Sequence, residues 1–168
     1  MDGIIQSIVD WFANFPIPKE IVTFIISMLP ILELRGGLIA AKLLDIPYFQ
    51  ALIYCLAGNI LPIPFVLLLV NPLFAWMKRT RLFRPIVEKI EKRTLSKKDK
   101  LEKGEFWGLL IFVGIPLPGT GAWTGAMLAA LLGIKFKKSA PAIGLGVLLA
   151  AAIMSFISYG LPWIIAQF

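Results

Sequence analysis

The sequence predicts an all-α polytopic membrane protein built as an inverted repeat. Each half is a re-entrant hairpin followed by a transmembrane helix, with an N-terminal interfacial helix and a basic cytoplasmic connector added. Three observations predict this. The 168-residue chain has a mean hydropathy of +0.83, with 58% hydrophobic and 16% charged residues. A soluble domain carries about 25% charged residues, and the polar surface available here is too small to cover a water-facing globule. Its long apolar runs are cut at mid-length by proline and glycine. Its net charge of +7 falls in one place: the stretch Lys78–Lys103 holds eleven basic and four acidic residues, and the rest of the chain balances to zero.

The first element is residues 3–15, where Ile4, Ile5, Ile8, Trp11, Phe12 and Phe15 share one side of a helix. It is too short to span, so an interfacial helix of about residues 1–16 is expected. Pro16 and Pro18 end it. The first repeat covers 20–77. Its opening run, Ile21–Leu32, is followed by Glu33, Arg35 and Gly36-Gly37, and neither half reaches the roughly 20 apolar residues that a crossing needs. Pro30, Gly36 and Gly37 are read as the tip of a hairpin. Residues 46–77 are uncharged but interrupted by Asn59, Pro62, Pro64 and Asn71-Pro72, so a kinked crossing helix is expected over about 48–70.

The basic connector, 78–105, sets orientation by the excess of Lys and Arg on the cytoplasmic side. Within it Leu82, Phe83, Ile86, Val87 and Ile90 recur at helical spacing. Two readings fit: a helix lying on anionic lipid, or a solvated link. The second repeat covers 106–168. Phe106–Ile134 is uncharged and long enough to cross, but Pro116, Pro118, Gly119 and Gly121 break it in the middle. Basic residues on both sides of it (Lys103, then Lys135, Lys137 and Lys138) favour a hairpin that returns to one face. The last run, Ser139–Phe168, can cross, and its small residues suit close helix packing. The two halves share the pattern Leu-Leu-x-Ile-x-aromatic, at Leu43–Tyr48 and Leu131–Phe136. With the connector inside, the hairpins enter from opposite leaflets, which is a transporter signature. The whole chain, 1–168, is read as one membrane domain in the cell membrane, and Trp76, Trp107 and Trp163 as interface anchors.

Few residues can carry chemistry. Glu33 and Arg35 lie in an apolar segment, where an unpaired charge costs at least about 2.5–3.5 kcal/mol. Glu33 can take a proton or a cation, and Arg35 can hold a carboxylate or phosphate. The alternative is a structural ion pair. The second tip offers Thr120, Trp123 and Thr124 with free backbone groups, either an ion-binding nest or a plain tight turn. Asn59 faces a site or bonds a neighbouring helix. Lys42 and Asp45 read as interfacial. Histidine is absent and the single cysteine is Cys55, so no disulfide forms within the chain, no metal site or cofactor is expected, and an enzyme is disfavoured.

The stretches LPILELRGG (Leu29–Gly37), AGNILPIPF (Ala57–Phe65) and FVGIPLPGTGAWTGA (Phe112–Ala126) resemble the small multidrug export family of prokaryotic membrane proteins, over about residues 20–160. Many members carry a proline soon after the Arg-Gly pair; Gly37-Leu38-Ile39 departs from that pattern. The resemblance implies efflux of small compounds. A more distant architectural likeness is to DedA-type proteins, which implies carrier-lipid transport with Glu33 and Arg35 as coupling and headgroup residues. Three functions follow: a small-solute exporter coupled to a proton or ion, a flippase for a phosphate-bearing lipid, or a non-transporting membrane scaffold. Two crossings enclose little space, so a homodimer is expected. No nucleic-acid partner is expected.

Overall fold

The computed structural model describes residues 2–13, 16–81, 83–96, 104–117 and 119–160, and these contain helices and turns but no β-strand. The chain forms two compact units. The first comprises residues 1–61 and 147–168, the second 62–146.

The first unit contains α1 (Asp2–Ala13), α2 (Lys19–Met28), α3 (Glu33–Leu43) and α4 (Tyr48–Ile60). The later part of α9 (Phe136–Ser155) and a π-helical turn, Phe156–Gly160, also belong to it. Proline places the breaks. Pro18 sits at the start of α2 and its carbonyl accepts from Ile21 and Val22 at 3.0 and 3.2 Å. Pro30 ends the same helix from beyond: a residue before proline is pushed out of the helical region, and Leu29 is extended, with φ −72° and ψ 133°. The turn therefore lies at residues 29–32. Gly36 and Gly37 are not part of it; both are helical, inside α3. The reason is packing. A Cβ on Gly37 would overlap Ser27 Oγ and come within 2.8 Å of Cys55 Sγ, and one on Gly58 would overlap the Phe24 carbonyl oxygen. The glycines let α3 close on the Ser27 and Cys55 side chains and α4 close on the α2 backbone at Phe24.

The helix expected at the N-terminus is present as α1, and part of its apolar side is covered by protein. Ile5 and Val9 pack with Val22, Ile26, Leu32 and Ala40 of α2 and α3, while Trp11 stays exposed. Along α3 and α4 the pairing is antiparallel. Ala41 clusters with Ile46 and Ala51 near the connecting turn, and Leu34 and Leu38 cluster with Cys55 further along.

The second unit contains α5 (Pro62–Lys78), α6 (Arg84–Leu95), α7 (Glu105–Gly114), α8 (Ala122–Leu131) and the first part of α9. The uncharged run 106–134 is thus two helices, and Ile115, ahead of Pro116, is extended like Leu29 (φ −81°, ψ 118°). Leu109, Ala129, Ile134 and Ala142 form its core, with Leu67 and Phe106 against them. Asn71 Nδ2 donates to the Ala130 carbonyl at 2.7 Å, tying α5 to α8. Of the basic region, α6 buries Val87 and Thr94 and leaves Ile86 exposed, while Leu82 lies outside the described residues. Its acids are paired, Glu91 with Lys78 at 2.6 Å and Glu88 with Arg84 at 2.8 Å.

The same local pieces recur in the two units. After α3, Asp45 is left-handed (φ 53°), Ile46 N donates to Ala41 O at 3.0 Å and Asp45 N to Lys42 O at 3.2 Å. After α8, Gly133 is left-handed (φ 70°), Ile134 N donates to Ala129 O at 2.9 Å and Gly133 N to Ala130 O at 3.2 Å. Both are Schellman caps, and they fall on the shared Leu-Leu-x-Ile pattern. In the same register Gly125 matches Gly37 and Gly146 matches Gly58. A Cβ on Gly125 would meet Val113 at 2.5 Å and Ile143 at 4.0 Å; one on Gly146 would meet Val113 at 2.8 Å and the Leu110 carbonyl oxygen at 2.9 Å.

Among the described residues, two helical segments are long and apolar enough to cross a bilayer: Tyr48–Lys78, with 31 residues, and Phe136–Ser158, with 23. The first is longer than the 48–70 expected, because Asn71-Pro72 does not stop it: Pro72 lies inside α5. Leu61 forms a turn between α4 and α5, next to Pro62.

Candidate functional site

In the first unit the site begins with a single residue. Glu33 opens α3 with φ 50°, a conformation that L-residues other than Asn and Asp seldom adopt. Its side chain is 6% exposed, and among the described residues it is the one charged group that is buried. Its neighbours in sequence, Leu32 and Leu34, are buried too. Its backbone N–H donates to Leu29 O at 2.9 Å, which holds the strained residue against the end of α2. Two features favour the carboxylate where it is. It sits in the first turn of an 11-residue helix, where the helix dipole stabilises negative charge. Arg35, half-buried, lies close enough to interact with it electrostatically.

Asn59 belongs to the same unit. It is 2% exposed, and its Oδ1 has no hydrogen-bond partner among the described residues. Its level relative to Glu33 follows from the antiparallel pairing. Gly37 on α3 faces Cys55 on α4. One helical turn toward the 29–32 break is Glu33 on α3 and Asn59 on α4, since residues four apart share a helix face.

Three residues that the sequence reading passed over line the same helices. Thr23 and Ser27 on α2 and Cys55 on α4 are each 0% exposed, and Ser27 hydrogen-bonds the Cys55 thiol, while Ser155 Oγ on α9 is buried without a partner among the described residues. Their signal was available: Thr23 and Ser27 stand four apart in an apolar run, and so do Cys55 and Asn59. Lys42 and Asp45 are exposed, and Lys42 Nζ donates to the Ser158 carbonyl at 3.0 Å.

Thr120, Trp123 and Thr124 fall in the second unit. The break there is a turn closed by its own side chain. Thr120 Oγ1 lies 2.9 Å from the Ile115 carbonyl and 2.8 Å from that of Leu117, and accepts from the Leu117 amide at 3.3 Å. Gly119 has φ 78° and Gly121 φ 146°, conformations that suit glycine. Trp123 and Thr124 are half-buried in the first turn of α8, and Pro116 is in the turn; Pro118 lies outside the described residues. The Thr120 hydroxyl is thus engaged with backbone. Beside it Ile111, Phe112, Ile115 and Leu117 line an apolar recess of about 90 Å³. Trp76 and Trp107, expected as anchors, are 62% and 61% exposed, and Trp163 lies outside the described residues.

In the register set by the paired glycines, the polar residues of the first unit face apolar or glycine counterparts. Glu33 matches Gly121, Arg35 matches Trp123, Cys55 matches Ile143 and Asn59 matches Val147. Ser27, which approaches Gly37, is matched by Val113, which approaches Gly125.

Residues 33–153 match a family described as "putative small multi-drug export protein". No curated protein and no solved structure matches the chain.

Proposed function

The chain belongs to the small multidrug export family, and on that premise we propose that it is a membrane transporter that moves a small solute outward, coupled to a proton or ion through Glu33. One observation carries the reading. A buried acid is held in a left-handed conformation in an apolar segment, at a position where the matching turn of the second unit has glycine. Backbone strain of this kind costs on the order of 1–3 kcal/mol and burial of the charge adds to it. Neither cost serves the turn itself, and a coupling site is where both are useful. Arg35 and Asn59 complete the site.

The architecture in this proposal is an inverted repeat. The pair α2–α3 is a hairpin entering from one leaflet and α7–α8 one entering from the other, with the basic α6 region in the cytoplasm and a two-fold dimer enclosing the path. Single cysteines at Glu105 and Lys135, in a Cys55→Ser background, test the second hairpin. Labelling of both from one face is expected, and labelling from opposite faces removes the hairpin. The function is tested by reconstituting the protein into vesicles with an imposed proton gradient and a panel of cationic, neutral and anionic amphipathic dyes. Glu33→Gln is expected to abolish uphill dye movement while the protein stays folded. Full gradient-driven flux in that variant takes Glu33 out of the mechanism.

A further inference from the structure

The orphaned acceptor on α4 and the strained acid on α3 are one device. We infer that Asn59 Oδ1 is the hydrogen-bond partner of Glu33 in its protonated form, so that the carboxyl group has two alternative partners: the Arg35 guanidinium when ionised, and the Asn59 amide oxygen when it carries a proton. The inference deepens the transport reading and rests on it only for the use made of the proton.

Asn59 Oδ1 is buried and unpartnered among the described residues, and a buried acceptor left without a donor is costly. An ionised carboxylate cannot satisfy it, being an acceptor itself; a protonated one presents a single O–H that can. The Gly37–Cys55 approach puts Glu33 and Asn59 at the same level of two antiparallel helices. The proton comes from water, and Arg35 keeps its charge throughout, so protonation frees the guanidinium from the acid.

Few other groups can interfere at that level. On α3 the neighbour is Arg35. On α4 it is the Cys55 thiol, one turn away. α2 presents Thr23 and Ser27, which do not titrate, and its Lys19 and Glu20 lie at its far end. α1 packs Ile5 and Val9 there and keeps Asp10 exposed. The segment of α9 in this unit, Val147–Ser155, has no titratable side chain. The matching positions in the second repeat of the sequence supply a control: Gly37 and Gly58 have their matches in Gly125 and Gly146, yet both ends of the inferred bond are missing from that register, replaced by Gly121 and Val147. The helix packing therefore does not require the pair.

The test is infrared difference spectroscopy of the full chain in lipid bilayers between high and low pH, with the proton itself as the probe. Wild type is expected to show a hydrogen-bonded carboxylic-acid carbonyl band at low pH, and Glu33→Gln to lack it. Asn59→Val should move that band toward the frequency of an unbonded acid. It should also weaken proton binding about tenfold, which lowers the titration midpoint by about one pH unit, because the neutral form alone loses a partner. Should Asn59→Val fail to fold, wild type labelled with ¹³C at its asparagine side-chain carbonyls decides the matter: an amide band that shifts on acidification supports the bond. A Glu33 band indifferent to Asn59→Val, no Glu33 band at all, or an unmoved asparagine band overturns the inference. If the band behaves as expected but Glu33→Gln transports normally, the pair stands and the transport reading falls. If Glu33→Gln abolishes flux but the band ignores Asn59, the reverse holds.

Discussion

The two broken helix pairs are built from the same parts and filled with different chemistry. α2–α3 and α7–α8 each end their first helix two residues before a proline, each pass a glycine against a facing side chain, and each close with a left-handed Schellman cap followed by a buried isoleucine. Where the first pair and α4 after it have Glu33, Arg35, Ser27, Cys55 and Asn59, the second pair and α9 after it have Gly121, Trp123, Val113, Ile143 and Val147. The shared residues are those that the backbone path needs. The residues that differ are dispensable to that path, and on the first side they are polar and, apart from half-buried Arg35, buried. A buried amide oxygen with no partner, as on Asn59, weakens a helix junction, so a fold-only account predicts an apolar residue there, as at Val147. The restriction of the polar residues to one side separates scaffold from site.

Glu33→Gly breaks this comparison most severely. It gives the first turn the glycine of the second. A left-handed L-residue costs roughly 1–2 kcal/mol, and glycine gives back part of that gain through the greater freedom of its unfolded chain. The variant is expected to unfold about 1 kcal/mol harder in reversible denaturation, and to lose gradient-driven transport altogether. Stability and activity then move in opposite directions, as at a site that stores strain for function. A variant that is both inactive and less stable by more than about 1 kcal/mol points the other way: Glu33 would be holding the break together with Arg35, and the acid would be structural.

Much of this scaffold is legible in the sequence because proline and glycine act locally. Pro30 and Pro116 fix where α2 and α7 stop, through steric effects on the preceding residue that need no tertiary partner. The Leu-Leu-x-Ile echo marks both caps. The glycines misled: Gly36-Gly37 reads as a turn from its dipeptide, but it is a packing surface inside α3, and only the approach of Ser27 and Cys55 shows this. On α1 the periodicity marks an apolar side, and only the structure shows that Ile5 and Val9 meet Val22, Ile26 and Leu32. At the site, Glu33 and Arg35 stand out because charge in an apolar run is rare. Ser27 and Cys55 do not, since small polar residues are common in such runs; their significance lies in burial and in what faces them.

The mildest expected change sharpens the comparison at the caps, where the two units differ by one exposed residue. Asp45 and Gly133 hold the same left-handed position, at φ 53° and φ 70°. Asp45 is exposed, so replacing it alters little buried area and no core contact. Aspartate tolerates this conformation better than most residues do, so the strain to be relieved is small. Asp45→Gly is therefore expected to stabilise the first unit by about 0.5 kcal/mol, a rise in melting temperature on the order of 1–2 °C, and to leave transport unchanged. The contrast with Glu33→Gly is the point of the measurement. Both variants put glycine at a left-handed residue of the same helix, one at its buried start and one at its exposed end. If strain alone explained Glu33, the two would differ only in degree. If the acid does chemistry, removing it stops transport and the same substitution at Asp45 does not.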